Sequence, residues 1–160
     1  MKIRKGFVSN SSSSSFVIVT NGLLEDVALN EEKYVIGELG TYEFGWDINE
    51  YFDIDTKINW AYLQASYLKR NGMYYCSEED KAKWKVKGKE YLNMLTDVIK
   101  DTMHVQEVIV SDGIVESGYI DHQSSACEDK NFEEIFESEF TLRQFIFCPK
   151  SYIHTDNDNH

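Results

Sequence analysis

Residues 55–103 contain two blocks of apolar side chains at helical spacing, separated by Asn71-Gly72, and any fold for this chain has to bury both. In the first block Ile58, Ala61, Tyr62, Ala65 and Leu68 fall on one face, and Trp60, Leu63 and Tyr67 form a second stripe. That spacing predicts a well-buried helix over 55–70. Asp55 is the expected N-cap, because a carboxylate there accepts from a backbone N–H of the first turn. Asn71-Gly72 is the expected stop. In the second block Ser77-Glu-Glu-Asp80 has the form of a capping box that opens a long helix. Tyr91, Leu92, Leu95, Val98, Ile99 and Met103 form its core face. Gly88 sits inside that helix and weakens it by about 1 kcal/mol relative to alanine, so a break there is one expectation.

The flanks read differently. Residues 2–8 and 16–20 are rich in β-branched and aromatic side chains and read as strands joined by a serine loop. Residues 33–38 and 41–46 flank Leu39-Gly40 and predict a hairpin in an antiparallel sheet. Residues 107–110 read as a strand closed by Asp112-Gly113, residues 131–137 and 141–147 as short helices stopped by Pro149, and 151–155 as a last strand. Strands bracketing a helical middle predict an α+β fold, a mostly antiparallel sheet with two main helices packed on one face. Residues 1–160 read as a single globular domain, with 156–160 as a frayed tail.

The net charge of −12 is unevenly spread. Residues 1–105 carry 16 acids against 13 bases, whereas residues 106–160 carry 12 acids against 3 bases. The acidic C-terminal third argues against a broad nucleic-acid surface, which needs a positive footprint. It suits a basic protein partner, or serves solubility. No apolar run approaches the ~20 residues that span a bilayer, and the serines interrupt any signal-like segment after Lys2, Arg4 and Lys5. The expectation is a cytoplasmic protein with no membrane contact. Cys76, Cys127 and Cys148 are widely spaced, with no CxxC and no zinc spacing, and read as free thiols. No cofactor and no metal is expected.

The run Ser11, Ser12, Ser13, Ser14, Ser15 lies between Phe7-Val8 and Phe16-Val17-Ile18-Val19. Hydroxyls and successive backbone N–H groups in a tight loop can cradle an anion, with Arg4 nearby in sequence. A solvated connection between two strands is the alternative, and no GxxxxGK[ST] accompanies the run. The opening RxGFVSNSSSSSF resembles the start shared by a loose set of small bacterial and bacteriophage proteins of unknown function. Leu142-Arg-Gln-Phe-Ile-Phe147, Pro149, SYIHTDNDN and Asp121-His122-Gln123-Ser124 are similar to parts of some of them. The resemblance covers the two ends of the chain. It implies a phage-type or bacterial cytoplasmic accessory protein and brings no activity with it.

Other places could carry chemistry. Asp121 and His122, followed by Ser124, Ser125 and Cys127, could supply a carboxylate-supported base and a nucleophile. Neighbours on a strand point to opposite faces, and no G-x-S-x-G elbow is present, so a polar turn is the competing reading. Asp156-Asn-Asp158 has the form of the first ligands of a calcium loop but lacks the glycine and glutamate such a loop requires. Lysines 81, 83, 85, 87 and 89 would line one basic face if extended, around Trp84, and are scattered if helical. Glu79 supports Lys83 at i,i+4 in the helical case.

These observations point to a small acidic accessory protein, without a catalytic constellation, that binds a protein partner. Glu133, Glu134, Glu137 and Glu139 are the expected contact residues, and tyrosines are candidate interface side chains. The alternative is a small phosphate- or nucleotide-binding protein or hydrolase, with the serine loop on the anion and Asp121 and His122 near the chemistry. The oligomeric state is not set by the sequence.

Overall fold

A computed structural model describes residues 2–6, 16–29, 31–45, 48–120 and 131–155. Helix α1 (Ile54–Asn71) begins at Asp53, whose carboxylate accepts from the Thr56 N–H at 2.8 Å. The cap therefore lies two residues before the expected Asp55, which falls inside the first turn and accepts from the Tyr34 hydroxyl instead. Ile58, Trp60, Ala61, Leu63, Ala65 and Leu68 are all buried, as the double stripe requires. The helix stops at Gly72, where φ is 67° and the N–H bonds to the Leu68 carbonyl.

Helix α2 (Glu78–Met103) opens at Ser77, whose hydroxyl accepts from the Asp80 N–H at 3.1 Å. It runs unbroken through Gly88. The glycine serves packing: a Cβ there would meet the Lys69 nitrogen at 2.3 Å and the Ala65 carbonyl oxygen at 2.8 Å. Backbone therefore lies on backbone where α2 turns back along α1. The lysine run is on this helix, with Lys83 3.2 Å from Glu79 and 3.1 Å from Asp80. At its end His104 adopts the left-handed conformation, with φ 56°.

The strands are β1 (Lys2–Gly6), β2 (Phe16–Thr20), β3 (Lys33–Ile36), β4 (Glu43–Phe44), β5 (Asn49–Tyr51), β6 (Glu107–Val110), β7 (Tyr119–Ile120) and β8 (Tyr152–Thr155). Four of them form an antiparallel sheet in the order β1-β2-β8-β5. The expected hairpin over 33–46 does not form. β3 pairs in parallel with β6, and β4 in parallel with β7. The reason lies in α1, where the buried Asn59 donates to the Leu39 and Thr41 carbonyls and accepts from the Gly37 N–H. The loop is thus held by the helix, and β3 and β4 find partners that arrive after the crossover through α1 and α2. Asp112-Gly113 likewise does not simply close β6. Ser111 caps a short helix, α3 (Asp112–Ser117).

A 3₁₀ helix (Asn131–Phe136) and α4 (Glu139–Phe147), capped by Ser138, complete the elements among the described residues. α1 and α2 pack together, and α4 packs on α1, α2 and β2. The fold is α+β, with a small antiparallel sheet and two principal helices packed on each other. Among the described residues no helix is long and apolar enough to cross a membrane.

Among the described residues one charged side chain lies inside. Lys57 in α1 is fully buried, and its Nζ donates to the carbonyls of Cys148 and Ser151, each at 3.2 Å. Those carbonyls belong to the end of α4 and the turn into β8, where a helix terminus presents carbonyl acceptors and partial negative charge. Burial lowers the amine from 10.5 to about 8, with Glu25 and Asp53 acting in the opposite direction.

Two outcomes follow from this packing. Replacing Gly88→Ala should lower stability by roughly 2 kcal/mol, because the helices must part. On a solvent-exposed helix the same change would raise stability, so urea denaturation separates the two cases. The second outcome concerns pH. Between pH 8 and 10.5 the folded Lys57 binds fewer protons than the unfolded chain, so stability rises with pH across that window. Relative to Lys57→Met, which cancels the shared tyrosine titrations, the wild-type gain should reach roughly 3 kcal/mol.

Candidate functional site

A cavity is built where the start of α1 meets β3. Asp53 caps the helix, Thr56 accepts from the Thr41 N–H at 3.0 Å, and Asp55 accepts from the Tyr34 hydroxyl at 2.6 Å. These bonds hold the β3 side of the site against the helix. On the other side the chain before β3 forms a strap. Its Glu25 N–H bonds to the Phe147 carbonyl at 2.9 Å and its Leu29 N–H to the Met103 carbonyl at 3.0 Å. The strap is tied to α4 and α2, and an open groove of about 610 Å³ lies between it and β3.

Val27, Leu29, Val35, Leu39, Ile54 and Met103 give the groove its apolar surface. Among the described residues, Asp26, Glu31, Glu38 and Asp55 also line it, with Lys33 as the single base. Among the described residues no three metal-ligating side chains converge, so these carboxylates are distributed around the groove rather than focused on a point. Such a field favours an extended cation with apolar parts. Tyr34 is held protonated well above the usual phenol range by its burial, and further by the hydrogen bond and charge of Asp55. It therefore acts as a fixed donor that orients Asp55.

The residues singled out in the sequence lie elsewhere. Ser11, Ser12, Ser13, Ser14 and Ser15 fall outside the described residues, as do Asp121, His122, Ser124, Ser125, Cys127 and residues 156–160. Arg4 is on β1, in register with Ile18. Glu133, Glu134 and Glu137 come together around a second depression of about 410 Å³, with Lys87, Tyr91 and Phe136. Glu133 is engaged there by Lys87 at 2.8 Å and by the Tyr91 hydroxyl at 3.3 Å. Burial and the Glu133 charge raise the Tyr91 phenol. Glu139 lies in the first turn of α4, 3.6 Å from Arg143, and does not line that depression. Trp84, central to the lysine run, has the Lys87 amine 4.5 Å from its ring centre.

Sequence reasoning missed the groove because charge was weighed over two large blocks. Residues 21–56 carry ten acids and one base, Lys33, a local excess hidden by the lysines of α2 in the same block. Counting in a shorter window finds it.

Fold and groove together define an α+β protein with an acidic cleft of mixed polarity. No protein-family model, curated protein or solved structure matches the chain.

Replacing Tyr34→Phe removes the donor to Asp55 and leaves a buried ring in place. Stability should fall by about 1.5 kcal/mol, the scale of a hydrogen bond to a charged group. Urea midpoints of the variant and of wild type measure it. An unchanged midpoint would mean that Asp55 is not held by this bond.

Proposed function

We propose that this chain is a non-enzymatic binding protein whose partner is a basic protein, taken up in the groove between the strap of residues 26–29, β3 and the start of α1. The observation that carries the reading is the groove's lining: four carboxylates and one lysine around apolar side chains. Charge of one sign in a cleft steers and holds a partner of the other sign, and the apolar surface adds burial. The overall charge of −12 supports the same choice of partner. A cytoplasmic, phage-type accessory role is the setting that agrees with the chain's opening motif. The Glu133, Glu134 and Glu137 cluster, with Glu139 on the neighbouring helix, is a second acidic surface that such a partner could reach. Its central carboxylate already has Lys87 as a counter-ion, which weakens its pull.

Calorimetric titration with a short blocked peptide of alternating lysine and valine tests the reading. Binding should weaken as salt rises, since exposed charges are screened over a Debye length. The double reversal Glu31→Lys with Glu38→Lys should reduce affinity by about tenfold or more, a change of about 1.4 kcal/mol. Reversal at Glu134 and Glu137 should leave affinity within about twofold, a few tenths of a kcal/mol. Absence of binding by the wild-type protein at low salt would overturn the proposal. Loss only on reversal at Glu134 and Glu137 would move the site to the second depression.

A further inference from the structure

We infer that the groove receives its basic partner as an added β-strand, paired with the outer edge of β3. The inference rests on the binding reading above and specifies how the partner is held.

β3 has a defined inner edge. The Glu32 carbonyl accepts from the Glu107 N–H at 3.1 Å, and the Ile36 carbonyl accepts from the Ser111 N–H at 2.9 Å. Polar groups of successive strand residues point to alternate edges, so those of Tyr34, midway between, also face β6. The groups of Lys33 and Val35 face the other way. At one end of that outer edge the Gly37 N–H is taken by Asn59 at 2.9 Å, and the Val35 carbonyl accepts from the Glu38 N–H at 3.4 Å. Among the described residues this leaves the Lys33 N–H, the Lys33 carbonyl and the Val35 N–H without a partner along the remainder. Among the described residues no strand pairs with this edge.

The groove lies along the same edge. Three consecutive residues, Lys33, Tyr34 and Val35, line it. Their side chains alternate between the two faces of the strand, so a cavity that touches all three runs past the edge. The facing wall is the strap, whose backbone bonds go to Phe147 and Met103 rather than to β3. Among the described residues the strap therefore leaves the edge open instead of pairing with it.

An exposed strand edge is a template for another chain, with backbone bonds providing affinity and pockets for side chains providing choice. Here the choice is set by charge. An extended segment beside β3 places its side chains among Asp26, Glu31, Glu38 and Asp55 on one hand and Leu29, Ile54 and Met103 on the other. Lysine or arginine interspersed with apolar residues satisfies both sets. The occupant is thus an extended, basic-and-apolar peptide segment of a partner protein. A compact cation would meet the carboxylates but would have no use for the strand edge.

The lysine–valine peptide gives a direct test, because N-methylation can remove donors from one edge at a time. Two versions are needed, one methylated at every lysine nitrogen and one at every valine nitrogen. Strand addition predicts that one version loses at least about tenfold in affinity while the other stays within about threefold. On the protein side, Val35→Pro deletes an outward N–H without removing a bond to β6, and should cost a similar factor with the fold retained. Amide hydrogen exchange provides a measurement that needs no variant. Peptide binding should slow exchange at Lys33 and Val35 by at least about tenfold and leave Tyr34 and Ile36, already paired, unchanged.

If the unmodified peptide binds but both methylated versions bind equally well and exchange at Lys33 and Val35 is unaltered, strand addition is wrong and the binding reading stands. If the unmodified peptide does not bind at all, both fall.

Discussion

Lys57 joins the middle of the chain to its end. Its ammonium reaches from α1 to the Cys148 and Ser151 carbonyls, at the end of α4 and in the turn into β8. A full charge inside a protein is tolerable only where acceptors and dipoles replace water, and a helix C-terminus supplies both. The neighbouring Ser151 extends the junction, because its hydroxyl accepts from the Thr20 N–H at 2.9 Å. Helix α1, the turn after α4 and strand β2 are thereby fixed relative to one another. β8 can then pair with both β2 and β5, which makes it an interior strand of the antiparallel sheet.

The same helix organises the groove through its polar side chains. Asp53, Asp55, Thr56, Lys57 and Asn59 follow one another within two turns, and each makes a hydrogen bond outside ordinary helix geometry. Asn59 carries most of the topological weight. By taking up the Gly37 N–H and two carbonyls of the loop after β3, it keeps β3 and β4 from closing into a hairpin. β3 is left paired on one side, in parallel with β6. The unpaired side is where the cleft opens, so the feature read as functional follows from how a buried asparagine directs a loop.

Charge is sorted by the fold. On α2, Lys81 and Lys83 are met by Glu78, Glu79 and Asp80 of the same helix, and Lys87 is met by Glu133. The acids of residues 21–56 have one base among them, and several of these acids line the groove. A chain whose first two-thirds are close to neutral thus presents a locally negative cleft. Arrangement in space, rather than composition, produces a field that a basic segment can follow.

Much of this was legible without coordinates. The stripes of α1 and α2, the Ser77 cap, the Gly72 stop and the strands at 16–20, 107–110 and 152–155 are local signals, set by side-chain periodicity and by backbone groups within a few residues. The cap of α1 was expected at Asp55 but lies at Asp53, while Asp55 accepts from the Tyr34 hydroxyl, a partner outside the helix. Gly88 looked like a weakness because propensity is a property of an isolated helix, whereas its value lies in contact with Ala65 and Lys69. The acidic character and helical middle belonged to the sequence by itself. Strand partners, the burial of Lys57 and the gathering of Asp26, Glu31, Glu38 and Asp55 around one cleft were decided by tertiary structure, because each depends on groups far apart in the chain that come together only when the core closes.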